Sequence, residues 1–243
     1  VSDPSDSRLA LYRAKLRRDP VEYPAQARAL AMRALGTQLP AQVPLRRMDC
    51  VVGVHYGREC LQRLRDARRS GRDVVVHSVL LPEAAAGSLA GLAEEVCADV
   101  FEVSNAMYEA EFQREGSDHP AVPRMCSFVV AYPVQRPLRD LRPPFLVFDG
   151  TGSPENVGQI LRTAFHLGVC SVVASRSAWN NLIGRAARVS MGWVYHMDFH
   201  LADPLEGALR QLRSSGVRLY AAEPHFAAPV RPHAPRGDRC WAL

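Results

Sequence analysis

The chain has 243 residues, 47% hydrophobic and 23% charged. That suffices for one large domain or two small ones and excludes wholesale disorder. No apolar segment approaches the ~20 residues of a membrane span, and 30 basic against 25 acidic residues give a net charge of +5 that favours a polyanionic partner without requiring one.

Arginine supplies 29 of the basic residues and Lys15 the other. Arginine suits bidentate phosphate recognition, although GC-rich coding bias explains most of the skew. The six cysteines, Cys50, Cys60, Cys97, Cys126, Cys170 and Cys240, are all spaced too widely for a C-x-x-C or zinc-ribbon pattern. They read as free thiols in a reducing compartment. The N-terminus has no secretory core, and Asp3, Asp6 and Asp19 argue against a transit peptide. A cytoplasmic location is expected, with an organelle as the alternative.

Residues 1–45 read as a helical arm, rich in Ala, Leu and Arg and broken at Pro20, Pro24 and Pro40. Residues 46–135 alternate between strand and helix signals. Strands are predicted at 50–54, 74–80, 100–103 and 125–132. Helices are predicted at 57–69, stopped by Gly71, and at 82–96 and 107–114. Residues 136–144 hold several prolines and arginines and read as a linker.

Residues 145–243 alternate again. Strands are predicted at 145–148, 170–174, 194–199 and 217–221. Helices are predicted at 156–167, 182–190 and 204–212, the last stopped by Gly216. This spacing predicts a parallel, doubly wound sheet. Ligands of such sheets bind beyond the carboxyl ends of the strands, where the loops after Asp149, Ala174 and Ala221 lie.

The stretch Phe145–Gly168, FLVFDGTGSPENVGQILRTAFHLG, concentrates the chemistry. A strand runs into a Gly/Pro-rich loop and a helix opening at Asn156, with Asn156, Gly158 and Arg162 in an N-x-G-x-x-x-R spacing. Asn156 reads equally as an N-cap or as a functional amide. Gly158 costs roughly 1 kcal/mol inside a helix and needs a reason, such as close approach of a ligand or a neighbouring chain segment. Arg162 follows one turn later on the same face; alone it would read as a solvated arginine.

These residues, with Pro154, the Gly168-Val169 step and the stretch Arg188-Val189-Ser190-Met191-Gly192, resemble the SpoU/TrmH family of RNA ribose methyltransferases over residues 145–224. The resemblance implies a SPOUT fold, normally trefoil-knotted, that transfers a methyl group from S-adenosylmethionine to a ribose 2′-hydroxyl of tRNA or rRNA. It assigns Arg162 and Asn156 to catalysis: Arg162 pairs a substrate phosphate and orients the hydroxyl, and Asn156 holds the loop and ribose. Gly158, Arg188 and Ser190 would lie along the RNA, and Ala222, Glu223 and Pro224 would touch the cofactor. Residues 46–135 resemble, more weakly, a small α/β/α RNA-binding domain. A homodimer is implied for the full-length parent.

The chain also departs from the family. Ser153-Pro154-Glu155 stands where an Asp usually precedes the proline. The later G-x-E-x-x-G and Ser-Leu-Asn motifs, which complete the cofactor pocket, are not found. The expectation is therefore a truncated catalytic domain that binds S-adenosylmethionine poorly. Its rival is a non-catalytic RNA-binding protein lacking the cofactor half. A small-molecule nucleotide enzyme is a third reading, weakened because the loop is not G-x-G-x-x-G. Arg65, Arg68 and Arg69, with Arg63 and Arg72, read either as a phosphate-contacting patch or as a solvated helix end favoured by the macrodipole. His196 and His200, four apart, suit zinc only on a helix; no metal is expected.

Overall fold

The computed structural model describes residues 9, 12, 52–72, 74–112, 126–131, 135–179, 181–182 and 185–222. Most of the arm and residues 223–243 lie outside these.

The first sheet has four strands, β1 (Val52–Tyr56), β2 (Val75–Pro82), β3 (Val100–Val103) and β4 (Ser127–Ala131), in the order β1-β4-β2-β3. It is mixed. β4 returns between β1 and β2 and is antiparallel to both, while β2 and β3 run parallel. Helix α1 (Arg58–Arg69) buries Cys60, Leu61, Leu64 and Ala67, the single stripe that its apolar spacing dictates. Helix α2 (Glu83–Val96) is alanine-rich and buries Ala85, Ala86, Leu89, Ala93 and Val96. The short α3 (Asn105–Met107) opens two residues before the predicted start. Ser104 caps it by accepting the Met107 N–H, and the helix widens into a π turn over Tyr108–Phe112.

Leu9 and Tyr12, within the predicted arm, are buried in this first core. The Tyr12 hydroxyl lies 3.0 Å from Ser78 Oγ, where β2 bulges between Val76 and Ser78. The two hydroxyls satisfy each other at a site closed to water.

The second sheet is parallel, with β5 (Phe145–Phe148), β6 (Ser171–Ser175) and β7 (Asp198–Ala202) adjacent in chain order. Every residue of β5 and β6 is buried, as a sheet covered on both faces requires. The period-two alternation divides them. Leu146, Phe148, Val172 and Ala174 face α4 (Pro154–His166) and join a core continuous with that of the first sheet. Phe145, Val147 and Val173 face Leu138, Leu141 and α7 (Leu205–Ser214). Within residues 136–144, the Arg136 N–H donates to the Phe199 carbonyl at 2.7 Å. Helices α1, α4 and α7 all end in Schellman bonds at Gly71, Gly168 and Gly216.

Four expectations are corrected. Residues 217–221 form no strand: Val217 and Leu219 pack against the second core beside α7, without a ladder partner among the described residues. The strand expected at 194–199 begins only at Asp198, because Trp193–His196 coil into a 3₁₀ turn. The helix expected at 182–190 is described only as the short α6 (Arg185–Val189), and a separate short helix, α5 (Arg176–Trp179), precedes it where none was expected. Helix α4 starts at Pro154 rather than Asn156.

The two sheets meet where α1 crosses α6 and the 3₁₀ turn. Gly192 (φ 80°) lies so close to α1 that a Cβ would stand 2.8 Å from Arg63 Cβ and 2.9 Å from Cys60 Cα. The Cys60 thiol donates to the Ala187 carbonyl at 3.5 Å, and burial pushes the Cys60 and Cys126 pKa values up to about 12. The Arg63 guanidinium sits 3.9 Å from the Trp193 ring centroid, and Trp193 stacks on Phe165 at 4.6 Å. Arg72 and Arg136 both pair with Asp198, at 2.8 and 3.2 Å.

His196 packs in this seam with its Nε2 buried and without a hydrogen-bond partner. Burial first, then the Arg72 and Arg63 charges, holds its pKa below the usual histidine value, against the opposing pull of the Arg63 backbone and Asp66. The unfolded chain therefore takes up this proton first as pH falls through the ordinary histidine range, and stability declines there. Thermal melts between pH 7 and 5 should fall less steeply in His196→Phe than in the native chain. Parallel slopes would show that His196 does not carry the effect.

Candidate active site

The carboxyl ends of β5 and β6 form the edge where a parallel sheet holds its ligand. The loop 149–153 leaves β5 there and is pinned at successive points. The Gly150 N–H donates to Ser175 Oγ at 3.2 Å. Asn181 Nδ2 donates to the Thr151 carbonyl at 2.6 Å. Ser153 caps α4 by accepting the Asn156 N–H at 3.3 Å, with Pro154 at the first helical position, where its missing N–H costs nothing. Ser153 also donates to Glu155 at 3.1 Å, and Glu155 pairs with Arg185 of α6. The Glu155 backbone N–H, Ser153 and Arg185 together hold this carboxyl below the usual range.

The serine that replaces the family's usual aspartate thus takes the capping role, which corrects the reading of Asn156 as the cap. Asn156 is exposed, and its side chain has no hydrogen-bond partner among the described residues. One and a half turns on, Arg162 is also exposed and makes no ion pair among the described residues. Beside them, Cβ atoms placed on Gly150 and Gly152 would meet nothing within 4 Å among the described residues.

Gly158 is corrected as an RNA-facing position. It is buried, and a Cβ there would lie 2.7 Å from both the Ala186 carbonyl oxygen and Val189 Cβ. The close approach that explains this glycine is to α6. Ser190 is likewise fully buried and donates to the Ala187 carbonyl at 2.9 Å, so it finishes α6 and does not face RNA. Arg188, two residues earlier on α6, is exposed and makes no ion pair among the described residues.

The arginine-dense stretch of α1 is largely engaged within the fold. Arg65 pairs with Asp66 at 2.9 Å, and Arg69 with Glu95 at 2.6 Å. Arg68 donates to the Val74 carbonyl at 3.3 Å. Each is thereby held to a partner of its own fold. Ala222 is exposed at the end of the described chain, and Glu223 and Pro224 lie outside it. His196 and His200 stand on different elements, and His200 Nδ1 lies 2.8 Å from the Arg136 carbonyl oxygen.

Two residues at this edge were not singled out by the motif. Asp149 is exposed at the carboxyl end of β5 and makes no ion pair among the described residues. Asn181 holds the loop through Thr151. The signal for Asp149 was available: a carboxylate directly follows four fully buried strand residues.

Gly158→Ala measures the helix contact. At an exposed helix position the change would stabilise by roughly 1 kcal/mol. Here α4 and α6 must separate, and urea denaturation should show a loss of about 1–3 kcal/mol. A gain in stability would mean that α6 yields without cost.

Residues 143–240 match the SpoU rRNA Methylase family. An uncharacterized tRNA/rRNA methyltransferase of Mycobacterium bovis is 38% identical over 88 residues, which are 36% of this chain and 31% of the relative. The chain thus spans less than a third of that relative's length. An rRNA methyltransferase from Sinorhizobium meliloti shares the fold with a TM-score of 0.65 at 17% identity, over 100% of this chain and 80% of that one. The same protein is known with AdoMet bound. An RNA 2′-O ribose methyltransferase gives a TM-score of 0.56 at 19% identity, over 100% and 80% of the two chains. This coverage lends no support to the expectation of a truncated domain.

Proposed function

We propose, from the premise that residues 143–240 belong to the SpoU/TrmH family, that this protein is an S-adenosylmethionine-dependent methyltransferase acting on a ribose 2′-hydroxyl of tRNA or rRNA. One observation carries the reading to these residues. Asn156 and Arg162 stand exposed and unpartnered on α4, beside a loop that is rigidly held yet open to ligand.

The open loop fits the cofactor. Gly150 and Gly152 present backbone without side-chain bulk, and Ala222, with Glu223 and Pro224 beyond it, would complete the contact. When bound, S-adenosylmethionine supplies an electrophilic methyl group on a sulfonium.

The chain's own residues do the rest. A ribose hydroxyl is a weak nucleophile, so it needs alignment and removal of its proton. Arg162 is permanently charged and is a poor base. Its first task is to pair with the phosphate beside the target ribose, fixing the hydroxyl's position. Asn156 can hold the ribose by its amide, because Ser153 has taken over the cap. Asp149, a free carboxylate at the same edge, is available to accept the proton. A homodimer belongs to the same reading.

The test is transfer of tritiated methyl from S-adenosylmethionine to bulk tRNA and rRNA, followed by alkaline hydrolysis. A 2′-O-methyl group protects the adjoining phosphodiester, so label should survive in dinucleotides. Arg162→Ala should lower the rate about 100-fold or more with little change in melting temperature. Label recovered on bases, or binding of RNA without any methyl transfer, would overturn the reading.

A further inference from the structure

Most arginines among the described residues are held by an acidic or backbone partner; of those left over, Arg142 and Arg213 stand apart, and the other three lie on adjoining helices. Arg58, Arg162 and Arg188 are exposed and have no ion-pair partner. They lie on three helices that touch in sequence. α1 contacts α6 through the Cys60 thiol and the Ala187 carbonyl at 3.5 Å. Arg58 is in the same first turn as Cys60, and Arg188 follows Ala187. α6 then contacts α4 where Gly158 meets Ala186 and Val189, one turn before Arg162. Packed helices lie about 8–10 Å apart, so guanidinium groups on three successive helices can span one short stretch of a phosphate backbone.

We propose that Arg58, Arg188 and Arg162 form a phosphate track that leads RNA from the first sheet, across α6, to the edge of the second. The inference rests on the RNA-methyltransfer reading and adds Arg58, at the start of α1, as the track's far end. The start of α1 supports this assignment. No side chain caps it at Gly57, so the positive pole of a twelve-residue helix reinforces Arg58. Glu59 shares the turn but makes no pair with Arg58.

The experiment measures binding of a fluorescein-labelled RNA hairpin by anisotropy over a series of salt concentrations, with the native chain, Arg58→Gln, Arg162→Gln and Arg213→Gln. Arg213 is equally exposed and unpaired but stands on α7, away from the seam. Each phosphate contact adds about 0.7 to 0.9 to the slope of log affinity against log salt. Arg58→Gln and Arg162→Gln should each weaken binding several-fold and lower the slope by about that amount. Arg213→Gln should match the native chain. If Arg162→Gln lowers the slope and Arg58→Gln does not, the track is wrong while the functional reading stands. If all three variants lower it alike, binding is diffuse and the track is again wrong. If the native chain does not bind the hairpin at any salt, the functional reading falls and the track with it.

Discussion

Where α4 crosses α6, the Gly158 α-carbon approaches so near that even one methyl group would collide with the Ala186 carbonyl and Val189. On the other side of the same short segment, Gly192 approaches α1 almost as closely. Five residues of helix are thus wedged between two longer helices, with a glycine on each side. That wedge sets the position of α4 relative to the first sheet. Its consequence is a core that runs unbroken from one sheet to the other.

Electrostatics follow from this packing. Arg63 of α1 lies over Trp193, Arg72 just past α1 pairs with Asp198, and Arg69 pairs with Glu95 of α2. A local excess of positive charge in the sequence becomes a set of satisfied contacts. Among the described residues few cations are left over, and three of them, Arg58, Arg162 and Arg188, lie on helices far apart in the chain. Solvent-exposed pairs of this kind contribute little individually to stability. Their larger effect is to decide which guanidinium groups remain available to a polyanion.

The edge of the second sheet obeys the same logic. Its loop is held at Gly150, Thr151 and Ser153 by partners from β6, Asn181 and α4, so little ordering remains to be done when a ligand arrives. Ser153, standing where an aspartate is usual, still caps the helix. With Ser153 as the cap, the Asn156 side chain is not needed to close the helix start.

The sequence by itself determined most of the elements: the two sets of strands, α1 with its leucine stripe, the glycine stops at Gly71 and Gly216, and the exposed pair Asn156 and Arg162. Those signals are local, written in periodicity, caps and turns over a dozen residues or fewer. Only the tertiary structure decided what the same residue types do at a distance. Gly158 serves a helix crossing, Ser190 closes a helix, and Arg65, Arg68 and Arg69 are internally engaged. The alternation at Val217 and Leu219 marks burial without a ladder, and β4 turns the first sheet mixed. In each case the deciding partner is remote in the chain, or is a backbone group that no spacing rule reveals, so the meaning of the residue is fixed by packing and not by pattern.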